Sequence, residues 1–128
     1  MSNLNLTFQI RCSETKFGEE VFLLGNCNEL GNWDIQKSKK LSTDSDKFPL
    51  WESDVVIFPK NLKFEYKYII KNSSSGIKWE NFQGNRNLNL SSYSPDNYIV
   101  NDGNFNFNTN PIIERLNKDK KISRKKIR

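Results

Sequence analysis

Phe64-Glu65-Tyr66-Lys67-Tyr68 decides the fold. Its aromatic residues fall at every second position, and successive side chains of a β-strand point to opposite faces. Phe64, Tyr66 and Tyr68 therefore share a face that enters a core, while Glu65 and Lys67 share the face turned to solvent. The same alternation recurs in Leu4 to Ile10, Val21 to Gly25, Trp51 to Phe58, Leu62 to Ile70, Ile77 to Trp79 and Tyr98 to Phe107. Turn-forming pieces separate these runs, among them Lys16-Phe17-Gly18, Gly25-Asn26, Phe58-Pro59-Lys60-Asn61, Ser94-Pro95-Asp96-Asn97 and Asp102-Gly103. Seven to eight short strands in this pattern predict an all-β, antiparallel β-sandwich, with an open barrel as the alternative.

A chain of 128 residues is long enough to bury one core without metal or disulfide staples. Hydrophobic residues make up only 35%, but nine Phe, four Tyr and three Trp let aromatic rings supply the burial. The net charge of +5 is unevenly placed. Pro111 to Arg128 holds eight basic residues against two acidic, leaving twelve against thirteen in residues 1–110. The expected division is a sandwich over residues 1–110 and a basic tail over residues 111–128, either disordered or a short helix begun by Ile112-Ile113-Glu114-Arg115-Leu116. The basic excess thus gives no reason to make the folded part a nucleic-acid binder.

Cys12 and Cys27 are the two cysteines, and histidine is absent. Without Cys-x-x-Cys spacing or His, neither a zinc nor a haem site is expected. The chain leads from Met1 directly into a strand pattern, which suggests a cytoplasmic protein with two reduced, partly buried thiols; a bridge in an exported form is the alternative. No apolar run is long enough to span a membrane.

The lack of His also removes Ser-His-Asp and Cys-His catalysis. Glu19, Glu20, Asp44, Asp46 and Asp54 offer carboxylates for a glycosidase pair, but such a pair needs one acid in an apolar cleft and a floor that holds the sugar. No active site, metal or cofactor is expected. Trp51 lies inside a strand pattern and reads as core. Trp33, after Gly31-Asn32, and Trp79, at a strand end, read as exposed recognition residues, with core packing as the alternative. Flat rings beside Lys67 and several amides suit the CH faces and hydroxyl edges of a glucan; for Lys67 the alternative is an ordinary solvated lysine.

In chain order, Gly18-Glu19, Val21-Phe22-Leu23-Leu24-Gly25-Asn26, Glu29-Leu30-Gly31-Asn32-Trp33-Asp34, Pro49-Leu50-Trp51, Phe64-Glu65-Tyr66-Lys67-Tyr68, Trp79-Glu80 and Asn85-Arg86 resemble carbohydrate-binding module family 20, the starch-binding domain. The resemblance covers about Leu4 to Phe107. It implies an immunoglobulin-like sandwich that binds α-1,4-glucans such as starch, amylopectin or glycogen without catalysing a reaction. The residues of the family's first site fall on Trp33, Lys67, Trp79, Glu80 and Asn85. The segment from Trp79 to Asn85 is one residue longer than usual. The second site falls on Phe17 and Phe48, where the family commonly has tyrosines, and phenylalanine stacks without donating a hydroxyl hydrogen bond.

The resemblance leaves two settings open: a free glucan-binding protein, or the binding domain of a larger glucan-active enzyme or phosphodiesterase. The basic run Lys118 to Arg128 suggests a third role, attachment to a protein or anionic partner.

Overall fold

The computed structural model describes residues 3–72 and 76–116. Among them are ten strands: β1 (Asn3–Arg11), β2 (Glu20–Gly25), β3 (Lys39–Ser42), β4 (Leu50–Ser53), β5 (Val56–Pro59), β6 (Lys63–Asn72), β7 (Gly76–Trp79), β8 (Arg86–Asn89), β9 (Asn97–Asn104) and β10 (Ile112–Arg115). Three short 3-10 segments, Asn28–Trp33, Ile35–Lys37 and Leu90–Ser92, interrupt the strands.

The strands form two layers. One runs β10-β9-β1-β4, with β5 also on β1; the other runs β2-β6-β7, with β8 also on β6. β3 joins them: Lys39 and Lys40 pair with Leu23 and Phe22 of β2, while Leu41 and Ser42 pair with Ser53 and Glu52 of β4. All pairings are antiparallel except β1 with β9, where Asn5 lies beside Asn97 and Phe8 beside Val100.

Alternation builds the core. Leu4, Leu6, Phe8 and Ile10 of β1 are buried, as are Phe64, Tyr66 and Tyr68 of β6. Phe58 stacks on Phe64 at 4.8 Å between centroids, and Phe8 meets Phe58 and Tyr66 edge-on. Each such ring contributes about 1.5–3 kcal/mol through burial. Trp51 is buried too, and its indole N–H donates to the Cys12 carbonyl at 3.1 Å. Both cysteines are buried free thiols; burial pushes Cys12 up to about 11.

Several boundaries differ from the expectation. The run from Trp51 to Phe58 is broken into β4 and β5 at Asp54-Val55. Ser53 turns there: its hydroxyl donates to the Asp54 carbonyl and accepts from the Phe8 amide. β3 and β8 were not expected, and with β10 they raise the count above seven to eight. β10 also corrects the division at residue 110, because Ile112–Arg115 is neither helix nor disordered chain. Ile113 lies opposite Val100 and packs on the core, Arg115 pairs with Asp96 at 2.7 Å, and the Leu116 amide donates to the Asn97 carbonyl. The expectation for Lys118 to Arg128 lies outside the described residues.

Candidate functional site

The outer face of the second layer carries the site. Leu24 and Ile69 are fully buried yet stand apart from the cluster between the layers. Register explains why: Leu24 is opposite Lys67, and Ile69 is opposite both Phe22 and Trp79, so these side chains share the outward parity. They form an apolar pad, and Trp79 lies on it with 38% of its surface exposed.

Trp33 reaches the same pad from the loop after β2. Gly31, Asn32 and Trp33 have φ values of 83°, 53° and 63°, three consecutive residues in the left-handed region. Glycine is needed at the first of these, because a Cβ on Gly31 would come within 2.9 Å of the Lys37 carbonyl oxygen. Gly25 has a different constraint, since a Cβ there would meet the Glu65 carbonyl oxygen at 2.5 Å. Lys71 pins the following turn: its ammonium donates to the Ile35 carbonyl at 3.2 Å and sits 4.2 Å over the Phe22 ring. The Trp33 and Trp79 rings end 6.2 Å apart, inclined at 48°. Two faces at that angle form a bent platform, suited to successive rings of a curved chain.

Lys67 and Asn85 stand beside it. The Lys67 ammonium donates to the Phe82 carbonyl at 3.1 Å and lies 4.8 Å from the Phe82 ring, so it is tethered rather than free. Asn85 donates to Glu65 at 2.8 Å. Phe82 is a residue that the sequence reading passed over. It lies in the segment between Trp79 and Asn85, held between Lys67 and the Arg86 guanidinium 5.3 Å from its ring.

Glu80 does not face this surface, a correction to the assignment implied by the resemblance. Alternation turns it inward directly after Trp79, and its side chain has no exposed area. Its carboxylate accepts from the Tyr68 amide at 3.0 Å, the Asn106 amide at 3.0 Å, and Arg86 at 3.0 and 2.6 Å. Glu80 is therefore a positioning residue: it locks the segment that carries Trp79, Phe82 and Asn85.

Arg86 is the hub of this buried network. Besides Glu80 it donates to the carbonyls of Asp102, Asn104 and Phe107. Tyr66 and Tyr68 donate their hydroxyls to Asp102 at 2.9 and 2.6 Å. Burial pushes the Asp102 carboxyl up to about 6, and the tyrosines and Arg86 only partly offset it. Burial, followed by the nearby Asp102 charge, holds both tyrosines well above their usual range.

Phe17 and Phe48 lie elsewhere. Phe17 is fully exposed in the loop before β2, and Phe48 is 46% exposed between β3 and β4. A groove of about 300 Å³ in this region is lined by Gly18, Glu19, Glu20, Lys40, Ser42, Thr43 and Trp51, but by neither phenylalanine. Among the described residues, no cluster of His, Cys, Asp and Glu is arranged to hold a metal, and no helix is long and apolar enough to cross a membrane.

Comparison with known proteins places the chain as a whole. A family model described as a starch-binding domain matches residues 3–99. The chain is 36% identical over 69 residues to a glucoamylase of Neurospora crassa, covering 52% of this chain and 11% of that protein. It is 28% identical over 102 residues to a cyclomaltodextrin glucanotransferase of a Bacillus species, covering 78% of this chain and 14% of that protein. The chain thus spans only a small fraction of the length of these relatives. In structure it is similar to the family 20 carbohydrate-binding module of a maltotetraose-forming amylase from Pseudomonas saccharophila, with a TM-score of 0.57, 25% identity and coverage of 80% of this chain and all of that one. It is also similar to a γ-cyclodextrin glucanotransferase from Bacillus clarkii, with a TM-score of 0.65, 28% identity and coverage of 82% and 15%.

Proposed function

Because the chain belongs to the starch-binding domain family, we propose that it binds α-1,4-glucans, whether starch, amylopectin or glycogen, on the Trp33–Trp79 platform and catalyses nothing itself. The observation that carries this reading is the pair of indoles, Trp79 exposed and Trp33 half-buried, inclined at 48° over an apolar pad. Each indole covers the CH face of one glucose ring, and the bend between them matches a chain that curves. Lys67 and Asn85 supply hydrogen bonds to hydroxyl edges, while their tethers limit the rotamer entropy lost on binding. In this reading Phe17 and Phe48 form a second, weaker contact. The two free thiols favour a cytoplasmic setting, and the basic run after Leu116 is left to hold a protein or anionic partner.

A second reading is favoured by the small share of each relative that the chain spans. In it, the chain is the binding domain of a larger glucan-active enzyme and delivers that activity to polysaccharide. Insoluble starch, with cellulose as control, tests the reading common to both. The protein is expected to sediment with starch and remain in solution with cellulose; equal behaviour on the two would overturn it.

A further inference from the structure

A polar track leads away from the platform along the same outer face. Lys67, Glu65 and Lys63 alternate outward on β6. Glu65 is opposite Asn87 and Lys63 is opposite Asn89 on β8, so lysine, carboxylate and amide groups form two adjoining rows beyond Lys67 and Asn85. Asn26, Lys63, Glu65, Asn87 and Asn89 line a groove of about 440 Å³, with the buried Phe64 and Leu88 at its floor. Lys63 lies four positions along β6 from Lys67, a run of ~13 Å.

The lining groups are oriented by the protein but not saturated. Asn26 accepts from the Glu65 amide at 2.9 Å, Asn87 donates to the Asn85 carbonyl at 3.1 Å, and the Asn89 oxygen accepts from the Ser91 amide and hydroxyl. Among the described residues, the Asn26 and Asn89 amide nitrogens, the Asn87 amide oxygen and the Lys63 ammonium have no protein partner. Such a mixture of donors and acceptors fits vicinal hydroxyls, each of which donates and accepts. Lys63 and Glu65 carry opposite charges, so the groove offers no field to select an anionic or cationic ligand, and it has no exposed aromatic ring for stacking.

On the reading that the platform binds α-glucan, we propose that this groove is an extension of that site. It holds further hexose residues of a linear chain by their hydroxyl edges and makes the domain select long, open α-glucan chains over short or cyclic ones. The occupant follows from continuity: Asn85 belongs to the platform and is bonded to both Glu65 and Asn87, which line the groove.

Isothermal titration with maltotriose, maltoheptaose and β-cyclodextrin tests the proposal in wild type and in a Lys63→Ala/Asn87→Ala double variant. Both replaced residues are outward-facing, and thermal unfolding checks that the variant is folded. The wild type is expected to bind maltoheptaose about tenfold tighter than maltotriose, and the variant to lose most of that gain while holding β-cyclodextrin unchanged. Wild-type affinity independent of chain length, or a variant that keeps the full gain, would overturn the track alone. Equal weakening for β-cyclodextrin and maltoheptaose would also overturn it, since the residues would then be supporting the platform. Failure of the wild type to bind any of the three would overturn the glucan reading and the track with it.

Discussion

The tryptophan platform and the Phe17–Phe48 region both expose aromatic rings, but the tryptophans face each other across a strand-backed pad while the phenylalanines sit on turns. Trp79 is fixed by strand register opposite Ile69, Trp33 by a left-handed turn, and the segment between Trp79 and Asn85 by the buried Arg86–Glu80 pair. Phe17 has less support: its turn is closed by hydrogen bonds between Lys16 and Glu19, but its side chain is fully exposed outside any strand. A ring held in place before the ligand arrives avoids the ordering cost that a free ring incurs on binding, about 0.5–1.5 kcal/mol per side chain. Exposure alone therefore does not make two aromatic sites equal.

Removing the anchor should have the largest effect. Arg86→Met leaves Glu80 and Asp102 as buried carboxylates without their cation, and we expect a loss of about 3–5 kcal/mol in a denaturant titration. A loss below 1 kcal/mol would mean that the network does not hold the platform end together. Next in size, Trp33→Ala or Trp79→Ala should weaken β-cyclodextrin binding by about 2 kcal/mol, roughly thirtyfold, with the unfolding midpoint little changed. If both variants bind like wild type, the platform is misassigned.

Asp102 sharpens the comparison through pH, because the network at the platform end includes a buried carboxyl. Its folded-state value of about 6 lies above the usual 3.8. The folded chain therefore holds this proton more tightly than the unfolded chain does, and the contribution to stability falls as pH rises through that window. The slope from this group should approach about 1 kcal/mol per pH unit between pH 4 and 6 and vanish in Asp102→Asn. Unfolding midpoints that share one pH slope in wild type and variant would show that the group does not titrate there. The smallest change is expected at the other region: Phe17→Ala with Phe48→Ala should alter β-cyclodextrin affinity by less than about 0.5 kcal/mol. A loss as large as that of Trp33→Ala would erase the distinction between the two regions.

The core faces are legible because burial on a strand leaves a period-two trace in the residues themselves, whereas Trp33 is read from its turn context after Gly31-Asn32. β8 leaves only a short trace, Asn87-Leu88-Asn89, because its other inward position is Arg86, whose charge is satisfied by groups from Glu80 to Phe107 that no local pattern reveals. β3 buries only Leu41. The apolar positions 112, 113 and 116 fit a helix as well as a strand, and distant pairing with β9 decides between them. At the site, the Trp79 and Lys67 positions follow from parity. The inward turn of Glu80 follows from parity as well, and the family resemblance obscured it. The capture of Lys67 by Phe82 depends on a loop conformation that spacing does not encode.

The parallel pairing of β1 with β9 has a consequence for how the chain acquires its structure. Every partner of β1 is remote in sequence: Arg11 meets Leu50, Leu6 meets Val56, and Asn5 meets Asn97. β1 is thus paired only on one side until β9 joins it, 92 positions further along from Asn5 to Asn97, and closing so large a loop costs entropy before any contact compensates. High contact order of this kind belongs to domains that fold in milliseconds to seconds rather than microseconds. A growing chain of this protein therefore passes through a stage in which β1 presents an apolar face and an open edge to whatever surrounds it.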